Sequence, residues 1–338
     1  MFYASILTAF LFDIIVSLSI IDGSTTFSQF MIYLANGIPY DLMHALGNLT
    51  FAAWLTTWFV KLLQYQPTLE EIELDKEIEK FKNYKMVIGF GGGQALDIAK
   101  YFSWKCNLTL FQFPTSVSVD AVFGHRSGIR RKGNVNYIGW AVPESVFIDY
   151  EIIQSAPVVF NYSGIGDVLC FYTGVLDWQF ANKKNKCEQK WKYNQELATQ
   201  SLKYVDDLLL NVEHIKVMNE NAIDAIIRAH QWGGNSFFSS GWNPRHIEGI
   251  EHFFFYNLEY LTNKKFIHGQ PVCLGFVIGC LLHNKLQDKF LKFFKSLDFD
   301  FTPSAMNLSW DNIDTTLSSL KNYIEKNQLW YGIGNEFQ

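Results

Sequence analysis

The sequence predicts an α/β half followed by an all-helical half, and three observations carry that prediction. The first is the apolar run Lys85-Met86-Val87-Ile88-Gly89, short enough for a buried strand, which empties into Phe90-Gly91-Gly92-Gly93-Gln94-Ala95-Leu96-Asp97-Ile98-Ala99-Lys100. The second is a series of further short apolar runs, at 108–113, 137–142 and 145–149, separated by turn residues. The third is a change of period after Glu151: amphipathic patterns of helical spacing then cover roughly 195–212, 221–232, 245–261, 268–286 and 312–326. The boundary falls near residue 150. The expected division is 1–150 as a mostly parallel α/β domain, with 1–65 atypical and apolar, and 151–338 as a helical domain.

Strand, three glycines, helix is the layout of a phosphate cradle. Gly91, Gly92 and Gly93 let the backbone turn sharply and approach a pyrophosphate, and the N–H groups of the next helix favour its charge. A tight strand-to-helix turn without a ligand is the plain alternative, since the run is neither a full Rossmann fingerprint nor a Walker motif. Upstream, Pro67-Thr68-Leu69-Glu70-Glu71-Ile72 reads as a helix start with Thr68 as N-cap, running to about Tyr84. Downstream, the strand at 108–113 opens into Pro114-Thr115-Ser116-Val117-Ser118-Val119-Asp120-Ala121, a hydroxyl-rich loop ending in a carboxylate. In an open α/β sheet ligands sit at the carboxyl ends of strands, so this loop and the glycine loop are expected to face one crevice. A basic, hairpin-like segment at 126–132 follows. The run Gly164-Ile165-Gly166-Asp167-Val168-Leu169 is expected to open a helix through Trp178 and Ala181, and 183–192 to be a lysine-rich solvated loop.

With 338 residues the chain is long enough for two domains, and 49% hydrophobic with 18% charged residues suits a globular protein. A net charge of −5 argues against a nucleic-acid-binding or anionic-membrane surface. The 17% aromatic content, with 30 Phe, predicts a densely packed interior. Five cysteines, odd in number and without a CxxC pair, read as reduced intracellular thiols rather than a disulfide framework. Sequons at Asn48, Asn107, Asn161 and Asn307 have little weight without a sign of secretion. Two apolar stretches, 1–21 and 45–63, approach the length of a membrane span. Neither has a basic flank on its N-terminal side, and Asp13 would be costly in mid-bilayer. A buried role in a cytoplasmic protein is the expectation, with membrane association as the alternative.

In the helical half Asp167, His252 and His268 form a candidate metal set, because one carboxylate and two imidazoles suit Zn²⁺ with an open position, and also Fe²⁺ or Ni²⁺. Any one of these histidines, taken alone, reads more simply as a core or surface residue. The set gains weight from its company: Gly91-Gly92-Gly93 with Asp97 and Lys100, Pro114-Thr115-Ser116 with Asp120-Ala121, Ser163-Gly164-Ile165-Gly166-Asp167, Asp177-Trp178, Glu251-His252 and His268-Gly269-Gln270. In that order and at those separations, across roughly 66–285, the chain resembles the glycerol-1-phosphate dehydrogenases, within the iron-containing alcohol dehydrogenase and dehydroquinate-synthase-like group.

The resemblance implies a dinucleotide-binding α/β domain, an all-α metal-binding domain and catalysis between them. It implies NAD or NADP as cofactor with one divalent metal, zinc first. Gly91, Gly92 and Gly93 would hold the pyrophosphate with Asp97 in support, Thr115 and Ser118 would meet the nicotinamide half, and Asp120 would sit beside the substrate hydroxyls. Asp167, His252 and His268 would bind the metal. An Asx-turn or helix-cap role is the alternative for Asp120. The expected reaction is hydride transfer to a small ketone, such as dihydroxyacetone phosphate, with Arg126, Arg130, Arg131 and Lys132 as candidates for a substrate phosphate. The partner is thus a small ketone or alcohol, phosphorylated or not, and a homo-oligomer is compatible with the sequence. Two other readings are a sugar-phosphate cyclase, which usually offers Glu as first ligand, and a non-catalytic or membrane-attached relative that has lost cofactor binding. The chain departs from the family pattern at Gln270, where His-Gly-Glu is common, at Gly124-His125-Arg126-Ser127-Gly128, and in 1–65, which lacks a recognisable first nucleotide turn. The Gln270 departure is expected to change the charge behind the metal.

Overall fold

The structure, a computed structural model, describes residues 25–32, 34–37, 39, 43, 70–131 and 134–337. The chain divides into two compact units, Met1–Pro67 and Thr68–Gln338. In the first unit residues 27–32 are helical; the Thr26 hydroxyl accepts the Gln29 N–H, and the Gln29 side chain accepts the Thr26 N–H in return. The apolar stretches 1–21 and 45–63 lie outside the described residues. Among the described residues no helix is long and apolar enough to cross a membrane.

The second unit opens with α1 (Glu71–Phe81), β1 (Met86–Gly91), α2 (Gly93–Cys106) and β2 (Thr109–Pro114). Helix α1 starts later than expected, with Glu70 at its N-cap; Thr68 lies outside the described residues. Strands β1 and β2 pair in parallel, Met86 opposite Thr109 and Gly91 opposite Pro114, with α2 as the crossover. Leu96 and Ala99 of α2 bury one face of this sheet with Leu110 and Ala141. An antiparallel hairpin follows, β3 (Ser127–Arg131) and β4 (Asn134–Ile138), and then the short β5 (Ser145–Val146), which joins the parallel sheet beside β2. The strand expected at 137–142 ends at Ile138, because Gly139 turns the chain with φ +72°. The one expected at 145–149 stops at Val146, and Asp149 instead accepts the Ile152 N–H at 3.0 Å as N-cap of α3 (Tyr150–Ser155).

From Tyr150 onward all regular elements are helical. They are α4 (Val158–Lys183), α5 (Gln195–Leu210), α6 (Val212–Val217), α7 (Glu220–Ser239), α8 (Ile250–Thr262), α9 (Gly269–Leu282), α10 (Asp288–Ser296) and α11 (Trp310–Lys326). Helix α4 is the axis of this half. Apolar on every side, it is buried on every side, with Ile165, Val168, Leu169 and Trp178 all at 0% exposure. Each such side chain contributes about 1.5–3 kcal/mol by leaving water. Gly164-Ile165-Gly166 does not open α4 as the sequence suggested; the helix starts at Val158, after Pro157. Helix α8 likewise starts at Ile250 rather than near 245, since Pro244 and Gly249 break the pattern.

The five cysteines are free thiols. Asn161, in one of the four sequons, is fully buried in α4, where its side chain accepts the Val117 N–H and donates to the Ile153 carbonyl. A glycan there is incompatible with the fold.

Candidate active site

Three helices deliver the acidic and histidine side chains to one place. Asp167 projects from α4, His252 from the first turn of α8, and His268 stands at the N-cap of α9. His268 Nε2 lies 2.8 Å from Asp167 Oδ1, and His252 Nε2 lies 3.7 Å from the same oxygen. One ligand atom from each lies within 4.8 Å of the others. Two metal–ligand bonds of about 2.0–2.2 Å span such separations, so a carboxylate oxygen and two imidazole nitrogens fit a divalent cation. The electrostatics agree. Burial by itself would raise the Asp167 carboxyl, yet the His268 charge, the His268 hydrogen bond and the nearby His252 charge pull it far below the usual range. Burial by itself would lower His252, yet Asp167, Cys170 and Glu251 hold it well above the ordinary histidine value. The pocket favours positive charge.

Each of the three is fixed from behind. His252 Nδ1 faces Glu251 Oε1 at 3.1 Å, an arrangement that leaves Nε2 for a metal. Glu251 is fully buried, and its Oε1 also accepts the Gly249 N–H at 2.6 Å. The backbone N–H of Asp120 donates to Asp167 Oδ2 at 3.1 Å. The Gly269 N–H donates to Ser163 Oγ at 2.7 Å, which anchors α9 next to His268. Cys170, one turn along α4 from Asp167, lies in a second close set with Glu251 and His252; its thiol donates to the Asp167 and Ile247 carbonyls.

The loop 114–120 meets α4 at a close approach. A Cβ on Gly164 would stand 1.7 Å from the Val117 carbonyl oxygen, so glycine is required for the loop to rest there. At the other end the Thr115 N–H donates to the Gly91 carbonyl at 3.0 Å, and the space above Gly92 opens toward the Ser116 and Ser118 hydroxyls, 3.4 and 3.7 Å from where its Cβ would stand. The glycine turn and the hydroxyl loop therefore face each other, as expected. Gly93 has a second reason to be glycine: a Cβ would meet Val119 Cγ2 at 2.1 Å. Asp120 follows Val119, which holds the N-cap of a short 3₁₀ turn, so Asp120 is not a cap. Its half-buried carboxyl is pushed up by burial and then by the Asp167 charge.

Asp97 serves a loop anchor. It pairs at 2.7 Å with Lys100, which is 1% exposed and donates to the carbonyls of Ala121, Gly124 and Arg126. These partners offset the cost of burying an ammonium and tie the 120–126 segment to α2. The arginines expected to grip a phosphate are otherwise engaged. Arg130 forms a two-point pair with Glu259 at 2.9 and 3.1 Å, Arg131 pairs with Glu71, and Arg126 lies over the Trp242 ring. Lys132 lies outside the described residues. Gln270 makes a bond that a glutamate could not: its amide donates to the Asp300 carbonyl at 2.8 Å, at the surface.

Sequence reasoning missed three residues beside this site. Glu248, Tyr256 and Tyr137 form a chain of hydrogen bonds, Tyr256 donating to Glu248 at 2.9 Å and facing Tyr137 at 3.3 Å. The available signal was the spacing of four between His252 and Tyr256, which puts these two on one face of α8; Glu248 precedes the helix and no local pattern marks it.

The iron-containing alcohol dehydrogenase family matches residues 43–157, reaching upstream of the motifs read above and taking in the apolar stretch 45–63. Glycerol-1-phosphate dehydrogenase (NAD(P)+) of Thermococcus kodakarensis is 32% identical over 218 residues, covering 64% of this chain and 60% of that protein. Its counterpart in Pyrococcus furiosus is 29% identical over 218 residues, covering 64% and 62%. The chain thus spans about three fifths of the length of these curated relatives. A probable glycerol dehydrogenase from Sinorhizobium meliloti superposes with a TM-score of 0.60 at 18% identity, over 77% of this chain and 75% of that one. Sulfoacetaldehyde reductase from Bifidobacterium kashiwanohense, in complex with NAD+, gives 0.57 at 15%, over 81% of each.

The fold is the dehydroquinate-synthase-like fold of the iron-containing alcohol dehydrogenases, a parallel sheet region followed by a helical half. Over about three fifths of its length the chain is similar to the glycerol-1-phosphate dehydrogenases, the family its motifs resemble.

Proposed function

We propose that the chain is a metal-dependent, NAD(P)-linked dehydrogenase that reduces a small ketone, with dihydroxyacetone phosphate to glycerol 1-phosphate as the leading pair. The observation that carries this reading is the convergence of Asp167, His252 and His268 within 4.8 Å, next to the loop that faces the glycine turn. Residues 1–150 are read as the dinucleotide half and 151–338 as the metal half. Asp167, His252 and His268 would hold the cation, with zinc the first candidate and Fe²⁺ or Ni²⁺ suited to the same donors. Bound there, a divalent cation supplies a Lewis acid that polarises a carbonyl. Gly91, Gly92 and Gly93 would hold the pyrophosphate, and Thr115 and Ser118 the nicotinamide half, with Asp97 acting through Lys100 on the loop between. Asp120, its carboxyl raised by burial and by Asp167, would meet the substrate hydroxyls.

Metal analysis of the purified protein, joined to a screen of NADH and NADPH oxidation over small ketones and their phosphates, tests the reading. About one zinc, iron or nickel per chain with ketone-dependent nucleotide oxidation is expected. Metal-free protein after reconstitution, or a carbocyclic product without net nucleotide consumption, contradicts it.

A further inference from the structure

Reduction of a ketone consumes a proton as well as a hydride, so the site needs a route for protons. Beside the metal set runs a chain of three hydrogen-bonding side chains, of which Tyr256 also packs in the core. Tyr137, 45% exposed, stands on β4 opposite Gly128, whose missing side chain leaves room for the phenol ring. Its hydroxyl lies 3.3 Å from that of Tyr256, one helical turn beyond His252 on α8. The Tyr256 hydroxyl donates to Glu248 Oε1 at 2.9 Å. Glu248 is held in turn through its backbone, its carbonyl accepting the Trp330 indole N–H at 3.3 Å.

We propose that Tyr137, Tyr256 and Glu248 form the proton line of this site, with Tyr137 as the group that protonates the reduced substrate. The proposal rests on the dehydrogenase reading above. A reduced nicotinamide dinucleotide, when bound, would supply the hydride for the carbonyl carbon, and the C=O π pair would move onto oxygen. That oxygen takes the Tyr137 hydroxyl proton, Tyr137 takes the Tyr256 proton, and Tyr256 takes one from the Glu248 carboxylic acid. Glu248, left as carboxylate, is reprotonated from solvent, so one proton is consumed per ketone. Alcohol oxidation runs the same line backwards.

The bond from Tyr256 to Glu248 is the one made with the carboxylate; with Glu248 protonated the same 2.9 Å contact runs the other way, the acid donating to Tyr256 and Tyr256 to Tyr137. Burial lifts the Glu248 carboxyl to about 7, against the pull of His252 and of the Tyr256 hydroxyl. A donor matched to neutral pH is the most effective general acid. The charged groups facing Glu248 are His252 and Glu251 on α8 and Asp120 on the loop opposite; Glu248, His252 and Asp120 also face Tyr137.

The test uses metal-loaded, full-length protein, with Tyr137→Phe, Tyr256→Phe and Glu248→Gln. Wild-type kcat for ketone reduction should fall as pH rises above about 7, when Glu248 loses its proton. Tyr137→Phe should lower kcat about a hundredfold or more, the range of a lost general acid, with metal content and nucleotide affinity unchanged. Glu248→Gln should remove the pH limb, and Tyr256→Phe carries the same expectation as Tyr137→Phe if that variant does not fold. Independently of turnover, infrared titration should show a protonated carboxyl band disappearing near pH 7 in wild type and absent from Glu248→Gln. Variants that keep the wild-type rate and pH limb, or a band unaffected by Glu248→Gln, overturn the proton line while leaving the dehydrogenase in place. A wild type that oxidises neither NADH nor NADPH with any ketone overturns the dehydrogenase reading and the proton line with it.

Discussion

Asp177 Oδ2 accepts the backbone N–H of Ile250 at 2.8 Å, so a carboxylate on α4 caps the helix that carries His252. The other oxygen accepts the Ile333 N–H at 2.8 Å and faces His283 Nε2 at 2.9 Å. One side chain, 1% exposed, thereby joins α4, α8, α9 and the C-terminal segment. Asp177→Ala leaves buried donors without partners and should cost about 3–5 kcal/mol of stability. Urea unfolding measures it; a loss below about 1 kcal/mol would show that the four elements hold without this carboxylate.

The metal set predicts a graded response. His268→Ala removes a donor and should abolish both metal retention and metal-dependent NAD(P)H oxidation, read by elemental analysis and by assay. Glu251→Gln keeps all three donors but weakens the partner that orients His252, and should lower metal affinity about 10–100-fold. Unchanged metal content in the histidine variant would refute the assignment outright.

A separate pH dependence should arise from His246. Fully buried, its ring faces Ser236 Oγ through Nε2 at 2.8 Å and meets Trp232 edge-on, while Nδ1 is buried without a partner. Burial holds it down to about 3. The unfolded chain takes up this proton below its ordinary value near 6.5, and the folded chain does not until about pH 3. Stability is therefore complete above about 6.5 and falls by about 1.4 kcal/mol per unit as pH drops toward 3. Thermal melts of wild type and His246→Gln across pH 4–7 should differ in slope over this window; parallel slopes would place the acid sensitivity elsewhere.

Gly164→Ala should be more damaging than its size suggests. The new methyl group meets the Val117 carbonyl oxygen at 1.7 Å, and neither the buried helix nor the loop can yield cheaply. Lower stability together with weaker nucleotide binding is expected, since lifting the loop moves Ser116 and Ser118 away from the glycine turn. Dye-binding melts and nucleotide fluorescence titration separate the two effects.

Much of this was legible along the chain. The strand, glycine turn and helix at 86–106 appear as read, because apolar runs and helical spacing act over a few residues. The hydroxyl loop faces the glycine turn because parallel strands present their carboxyl ends on one side. Boundaries were less legible where neighbours override local preference. Gly164 and Gly166 look like a helix start, yet they lie inside α4, where burial on every side outweighs their low propensity.

The sequence alone determined the kinds of residue available: an aspartate, two histidines, a triple glycine and a hydroxyl-rich loop, in an order that marks their kinship. Only the tertiary structure decided which of them meet. Asp167, His252 and His268 are 85 and 16 residues apart in sequence and come from three helices, so their closeness depends on packing at α4 that no local pattern encodes. The same packing decided that Arg130 and Arg131 answer carboxylates, that Gln270 bonds the Asp300 carbonyl, and that Glu248, Tyr256 and Tyr137 touch. Side-chain partnership is a long-range property of the folded chain, set by which surfaces must be buried against which.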